Sequence, residues 1–158
     1  MGLFPGSRLI HIIRDGRDVN LSLERVGWHG PTSSDRARYW HERVEMAHAA
    51  ARELGPERNR IIRYEDLVLD SRGTLEAICD FLGETFEPGM LEFFEDAQAH
   101  LSDIDGDVHR KLHRPPRADD VGRWRSEMPV ERQREFEAVA GASLRAASYP
   151  CLFSHGGD

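Results

Sequence analysis

Two short apolar runs, separated by amphipathic segments, set the pattern of the chain. Residues 8–13 (Arg-Leu-Ile-His-Ile-Ile) and residues 60–64 (Arg-Ile-Ile-Arg-Tyr) are predicted strands. The first of these runs is apolar enough to be typical of a strand that is covered on both faces, as in a parallel sheet. A helix is expected directly after the first strand, because Asp15 is a good capping residue and Asp18 follows at the spacing of a capping box.

Longer helices follow, and each is bounded by residues that favour a helix end. The predicted helices run from Asp35 to Leu54, from Asp70-Ser71 to Gly83, from Pro88 onward, and from Pro129 to about Ala147. This order of strands and helices predicts an α/β unit with right-handed crossovers. Because two strands alone make a poor core, we expect the chain to be part of a larger α/β domain or to take strands from a partner.

Composition narrows the class of protein. The 158 residues include 21 Lys+Arg and 28 Asp+Glu, a formal net charge of −7 that argues against a general nucleic-acid binder. The length favours a single domain over residues 1–158, and no apolar run approaches a membrane span. Cys79 and Cys151 are too few for a disulfide framework, so a cytoplasmic location is expected. His109 and His113 have helical spacing but no third ligand nearby, so no metal site is predicted.

The segment after the first strand carries the candidate chemistry. Arg14 stands where a buried strand ends and a helix begins, and ligands of open α/β sheets bind at that edge. A helix N-terminus and a guanidinium both suit a phosphate, and Ser22, eight residues after Arg14, can add a hydroxyl donor. The alternative is that Arg14 and Arg17 simply pair with Asp15 and Asp18 on a solvated turn.

A second basic segment lies between residues 110 and 125. A loop of this charge could close over a polyanionic nucleotide, and the alternative is a solvated loop without a ligand. Its six basic residues are Arg110, Lys111, Arg114, Arg117, Arg123 and Arg125. Trp124, within the same segment, is predicted to be a packing anchor and not a surface on which a ligand stacks.

Residues 14–22, Arg-Asp-Gly-Arg-Asp-Val-Asn-Leu-Ser, resemble a known motif. In sulfotransferases that use 3′-phosphoadenosine 5′-phosphosulfate (PAPS), a strand is followed by an Arg, an Asp-Val pair and a Ser eight residues after the Arg. Here those positions are Arg14, Asp18-Val19 and Ser22. The resemblance implies that Arg14 and Ser22 bind the 3′-phosphate of the nucleotide.

Three further elements resemble the same family in the same order. They are Arg63-Tyr64-Glu65-Asp66-Leu67, the helix Leu75–Gly83, and Gly122-Arg123-Trp124-Arg125. The resemblance implies that Tyr64 lies near the adenine ring. It also implies that Arg114 or Arg117 closes onto the 3′-phosphate.

One part of the family pattern has no counterpart here. The family's phosphosulfate-binding loop and catalytic base lie upstream of the Arg-Asp motif, and only seven residues precede the first strand. The resemblance therefore implies an α/β, partial P-loop-like three-layer sulfotransferase fold, helix-rich with a small parallel sheet and truncated at the N-terminus.

The expected function follows from that fold. We expect a sulfotransferase-like protein that binds the 3′-phosphate end of PAPS, or of 3′,5′-adenosine bisphosphate, for sulfuryl transfer to a hydroxyl or amine acceptor, and that is inactive as the isolated chain. One alternative is a non-catalytic homologue that binds a nucleotide or a partner chain. Another is an enzyme completed by another chain or by upstream residues, and an unfinished sheet favours a homo-oligomer.

Overall fold

A computed structural model describes residues 6–93, 115 and 117–153 of the chain. The chain divides into two compact units, which are considered separately. The first comprises Met1–Tyr64 and Gly122–Asp158, and the second comprises Glu65–Val121. The single domain expected from the length therefore stays a prediction.

The sheet of the first unit consists of two parallel strands, β1 (Leu9–Ile13) and β2 (Asn59–Arg63). They pair in register from Leu9 with Asn59 to Ile13 with Arg63. Both predicted strands are confirmed, each to within one residue of its predicted bounds. Parallel pairing places the carboxyl ends of the two strands at the same edge of the sheet.

Helices make up most of the remaining described structure. In chain order they are α1 (Gly16–Arg25), α2 (Ser33–Leu54), α3 (Tyr64–Leu69), α4 (Ser71–Leu82), α5 (Trp124–Glu127) and α6 (Val130–Ala146). Asp15 caps α1 as predicted, and its carboxylate accepts a hydrogen bond from the backbone N–H of Arg17. Pro129 occupies the capping position of α6. None of the helices in the described ranges is long and apolar enough to cross a membrane.

The core of the first unit lies where α2 packs against α6. Trp40 and Val44 of α2 meet Phe136 and Leu144 of α6, and all four side chains are buried. Helix α1 comes close to this layer through Gly16, where an added Cβ would stand 2.5 Å from the Phe136 ring and 2.6 Å from the Trp40 indole. Contacts that short cannot be accommodated without a shift, so glycine at this position lets α1 begin against the core.

The N-terminus of α2 is fixed by a capping box, two residues before the predicted start. Asp35 donates its backbone N–H to Thr32 Oγ1 over 3.1 Å, and Thr32 donates its own backbone N–H to Asp35 Oδ2 over 3.1 Å. The Thr32 hydroxyl also donates to Asp35 Oδ2 over 2.6 Å. Bonds from the Thr32 side chain and backbone, aided by Arg38 and Arg36, lower the pKa of the Asp35 carboxyl below its ordinary value.

Replacing Thr32 by valine is expected to raise the pKa of Asp35, because the largest cause of its lowering is the Thr32 hydroxyl. A carboxyl whose pKa is lowered in the folded state contributes stability above its unfolded pKa, and loses it as the pH falls through its folded pKa. NMR titration of the side-chain carboxyl carbon measures the shift. An unchanged titration of Asp35 in Thr32→Val would contradict the assignment, and Asp35→Asn serves to identify the resonance.

In its described residues, the second unit contains most of α3, all of α4 and two short 3₁₀ turns. Asp70 caps α4 through a 3.0 Å bond to the Gly73 N–H, and Gly83 ends it in a left-handed conformation at φ 77°. The helix predicted to start at Pro88 begins as a 3₁₀ turn, Pro88–Glu92, and its predicted continuation after Phe93 lies outside the described residues. The second turn is Ala118–Asp120.

Candidate phosphate-binding site

Arg14 and Tyr64 meet at the carboxyl edge of the sheet. They are the next residues after Ile13 and Arg63, which pair in register across β1 and β2. The Arg14 guanidinium carbon lies 4.7 Å from the centre of the Tyr64 ring, a favourable cation–π distance. Two of the residues predicted from the sequence are therefore brought together by the parallel register itself.

The backbone at this edge is anchored to the core. Trp40 Nε1 donates a 3.0 Å hydrogen bond to the carbonyl oxygen of Arg14, and the Tyr149 hydroxyl donates over 3.1 Å to the carbonyl oxygen of Ile13. Both aromatic side chains are buried. Arg14 therefore projects from a fixed point, and its side chain keeps 20% of its surface exposed.

Asp18 supplies the acidic neighbour of Arg14. Its Oδ2 lies 3.6 Å from Arg14 Nη2, and its side chain is completely buried. The prediction that Asp18 completes a capping box is wrong, because its carboxylate instead accepts backbone N–H bonds from Gly122 over 2.7 Å and from Trp124 over 2.9 Å. This role of Asp18 was not predicted from the sequence. The one signal for it in the sequence was that residues 14–22 and residues 122–125 both resemble motifs of the same family.

Ser22 joins the same cluster through the backbone of Asp18. Its hydroxyl donates over 3.1 Å to the carbonyl oxygen of Asp18, one helical turn earlier on α1. The side chain is half-buried. To donate to a phosphate, the hydroxyl must give up this bond, so its contribution to binding is smaller than that of an uncommitted donor.

Arg17, in the first turn of α1, is the centre of a buried network of ion pairs. Arg17 is fully buried and contacts Asp15 Oδ2 at 2.8 Å and Glu137 Oε1 at 2.7 Å. Its guanidinium lies 3.5 Å from the ring centre of Trp124. The alternative prediction was that Arg14 and Arg17 pair with Asp15 and Asp18 on a solvated turn. The ion pairs do form, but Arg17, Asp15 and Asp18 are buried, so the turn is not solvated. The Asp15 cap also occupies the Arg17 N–H, so this N–H of the helix N-terminus is not offered to a phosphate.

The basic segment gives a mixed result. Arg114 lies outside the described residues, as do His109 and His113, while Arg117 is described in the second unit as an exposed side chain. Whether either arginine closes over a phosphate stays a prediction.

Trp124 is confirmed as a packing anchor, since only 1% of it is exposed. No cluster of His, Cys, Asp and Glu suited to a metal ion occurs in the part of the chain that the structure describes.

An apolar groove of about 470 Å³ runs beside β1. We call it the β1 groove, and it is lined by His11, Ile12, Ile13, Arg14, Val19, Trp40, Arg43, Val44, Met46, Ala47 and Ala50. Four consecutive residues from His11 to Arg14 line it. Because successive side chains of a strand point to opposite faces, the groove runs along the edge of β1 and not over one face of the sheet. In the described sheet β1 pairs only with β2, and Ile12 is 57% exposed.

Comparison with known proteins gives one family throughout. Residues 1–88 match the model of the "Sulfotransferase family". The chain is 24% identical to protein-tyrosine sulfotransferase 2 of Gallus gallus over 157 residues, and 22% identical to the protein-tyrosine sulfotransferase of Drosophila melanogaster over 147 residues. These alignments cover 94% and 87% of this chain.

Two solved structures share its fold. The sulfotransferase domain of the Synechococcus PCC 7002 olefin synthase matches with a TM-score of 0.69 and 27% identity, covering 90% of this chain and 50% of that one. The sulfotransferase domain from the curacin biosynthetic pathway matches with a TM-score of 0.69 and 23% identity, covering 94% and 56%. The chain spans 42% of the Gallus protein and 29% of the Drosophila protein, so it corresponds to less than half of each.

Proposed function

Because this chain belongs to the sulfotransferase family, we propose that it binds the 3′-phosphate end of PAPS or of 3′,5′-adenosine bisphosphate. Arg14 is the principal cation for that phosphate, Ser22 adds a hydroxyl and Tyr64 lies near the adenine ring. Arg114 or Arg117 closes over the bound nucleotide. PAPS would supply the sulfuryl group, and the acceptor is a hydroxyl or an amine.

The observation that supports this proposal most is the placement of Arg14. Its guanidinium lies at the carboxyl edge of the sheet, between the Tyr64 ring at 4.7 Å and the Asp18 carboxylate at 3.6 Å. Ligands of open α/β folds bind at this edge, and a guanidinium matches phosphate oxygens in charge and geometry. An aromatic ring next to the cation suits the adenine of the same nucleotide.

The proposal also covers what the isolated chain does. The residues gathered at the edge of the sheet would hold the phosphate that is remote from the transferred group. Sulfuryl transfer needs cations at the developing charge and a base at the acceptor. We therefore expect weak nucleotide binding and no turnover from the chain alone, in a cytoplasmic setting.

Calorimetric titration of the chain with 3′,5′-adenosine bisphosphate and with adenosine 5′-monophosphate tests the proposal. The bisphosphate is expected to bind at least about tenfold more tightly, because only it carries the phosphate that pairs with Arg14. Equal affinities would contradict the proposal. A sulfate-transfer assay with labelled PAPS, run on the same preparation, tests the expected lack of turnover.

A second candidate function is non-catalytic binding of a partner chain, which the β1 groove favours. The proposed occupant is a second copy of this chain, with β1 pairing against its symmetry mate. The exposed Ile12 and Met46 side chains both line the groove, and a strand edge of this kind pairs readily with another strand. This candidate makes the protein a homodimer.

Light scattering after size exclusion is expected to show a dimer that Ile12→Asp converts to a monomer. The charge would have to be buried between the two copies, at a cost of several kcal/mol. Leu69→Asp is the matched control, since Leu69 is 63% exposed and lies outside the groove. A monomeric wild-type chain at the highest soluble concentration would remove this candidate.

A further inference from the structure

We propose that Asp18 is a positioning residue for the phosphate site, through which the Gly122–Arg125 segment sets the direction of the Arg14 guanidinium. This inference rests on the proposed function, since it concerns the same 3′-phosphate. It assigns the Gly-Arg-Trp-Arg segment a role in binding that does not require its own side chains to touch the nucleotide.

The first support is the way the Asp18 carboxylate is held. Oδ2 accepts from the Gly122 N–H over 2.7 Å and Oδ1 accepts from the Trp124 N–H over 2.9 Å. Because both oxygens accept backbone N–H bonds, the carboxylate is held in one position and one orientation. Its side chain is 0% exposed, so water does not compete for these bonds.

The second support is that one oxygen serves both partners. The Oδ2 atom that accepts from Gly122 is also the atom that lies 3.6 Å from Arg14 Nη2. The Tyr64 ring lies 4.7 Å from the same guanidinium. The guanidinium therefore lies next to a carboxylate that the Gly122–Arg125 segment holds, and a shift of that segment moves the carboxylate directly.

The third support is the rigidity of the segment that holds Asp18. Gly122 has φ +71°, a backbone conformation that residues with a side chain disfavour. Trp124 is buried beneath the guanidinium of Arg17. The two N–H donors therefore come from a turn whose conformation is fixed on both sides of Arg123.

If Asp18 positions Arg14, the change in phosphate affinity on replacing Asp18 has the opposite sign to the change that simple electrostatics predicts. A carboxylate beside an anion site repels the anion, so its removal in Asp18→Asn should tighten phosphate binding if charge alone mattered. If Asp18 positions Arg14, the same substitution weakens binding, because an amide offers only one acceptor oxygen to the donors of Gly122, Trp124 and Arg14. The direction of the change decides between the two roles.

Titration of Asp18→Asn with 3′,5′-adenosine bisphosphate and with adenosine 5′-monophosphate measures that direction. We expect about a tenfold loss of affinity for the bisphosphate and a change within about twofold for the monophosphate, since positioning affects only the ligand that reaches Arg14. Asp80→Asn is the matched control, because it removes one exposed carboxylate from α4 and should leave both affinities unchanged. Equal or tighter bisphosphate binding by a folded Asp18→Asn protein would overturn the inference.

Gly122→Ala provides a second route that leaves every side chain of residues 14–22 in place. Alanine disfavours the φ of +71° at Gly122, so the turn is expected to shift the N–H that holds Asp18, with the same selective loss of bisphosphate affinity. If Asp18→Asn does not fold, wild-type affinity in Gly122→Ala overturns the inference by itself. If Arg14→Ala binds the bisphosphate as the wild type does, the proposed function fails. If Arg14→Ala loses binding while Asp18→Asn and Gly122→Ala keep it, only the positioning role fails.

Discussion

Replacing Arg17 by methionine is expected to lower the free energy of unfolding by about 3–5 kcal/mol, because it leaves two buried carboxylates without their cation. Arg17 is 0% exposed and bridges Asp15 at 2.8 Å and Glu137 at 2.7 Å. The substitution also removes the guanidinium that lies over the Trp124 ring. Urea unfolding followed by fluorescence and by circular dichroism measures the change.

The matched control is Arg38→Met, since the Arg38 side chain is 61% exposed and pairs only at 3.6 Å with Asp35. A change within about 0.5 kcal/mol is expected there. The triple variant Arg17→Met, Asp15→Asn, Glu137→Gln should recover part of the lost stability, because it removes the uncompensated charges. A loss below about 1 kcal/mol in Arg17→Met would show that the network contributes little to the fold.

Replacing Arg14 by alanine is expected to weaken the binding of 3′,5′-adenosine bisphosphate by about 3 kcal/mol, or about a hundredfold, because a charged partner of the phosphate is lost. The substitution keeps the bond from Trp40, which the Arg14 backbone accepts, but it removes the guanidinium from beside Asp18 and Tyr64, so some loss of stability is also expected. Calorimetric titration on the folded variant measures the affinity.

Arg14→Lys separates charge from geometry at the same position. Lysine keeps the positive charge but lacks the planar fork, so an intermediate loss of about tenfold is expected. Arg38→Ala is a control for general loss of positive charge, because the Arg38 side chain is 61% exposed and does not line the β1 groove. The role of Arg14 fails if the alanine variant and the wild type bind the bisphosphate equally.

Local signals in the sequence predicted most of the described elements. Asp15 and Gly83 act at helix ends, where one residue determines the local hydrogen bonding or backbone conformation, and both lie where they were expected. Pro129 occupies the cap of α6, one residue before the first helical position that was predicted for it. The apolar spacing predicts α2 from Asp35, whereas the helix begins at Ser33, Thr32 caps it and Asp35 completes the capping box.

The partners of Asp18 and Arg17 could not be predicted in the same way. Asp18 bonds to residues 104 and 106 positions away, and Arg17 pairs with a residue 120 positions away. Neither separation leaves a periodic signal in the sequence. Two short strands are too few to identify the fold from the sequence pattern, so the fold was predicted from the family resemblance. The solved sulfotransferase domains, which match with a TM-score of 0.69, confirm the predicted fold.

Glu137 also accepts the backbone N–H groups of Leu152 and Phe153 over 2.9 and 3.0 Å, which ties the last described residues to the turn after β1. During synthesis, β1 and α1 therefore leave the ribosome long before the later segments that complete their hydrogen bonds. Closing loops of this length costs entropy before any contact repays it, which makes the assembly of this region a late and slow step. Until then the nascent chain exposes the Arg17 turn to solvent and to chaperones.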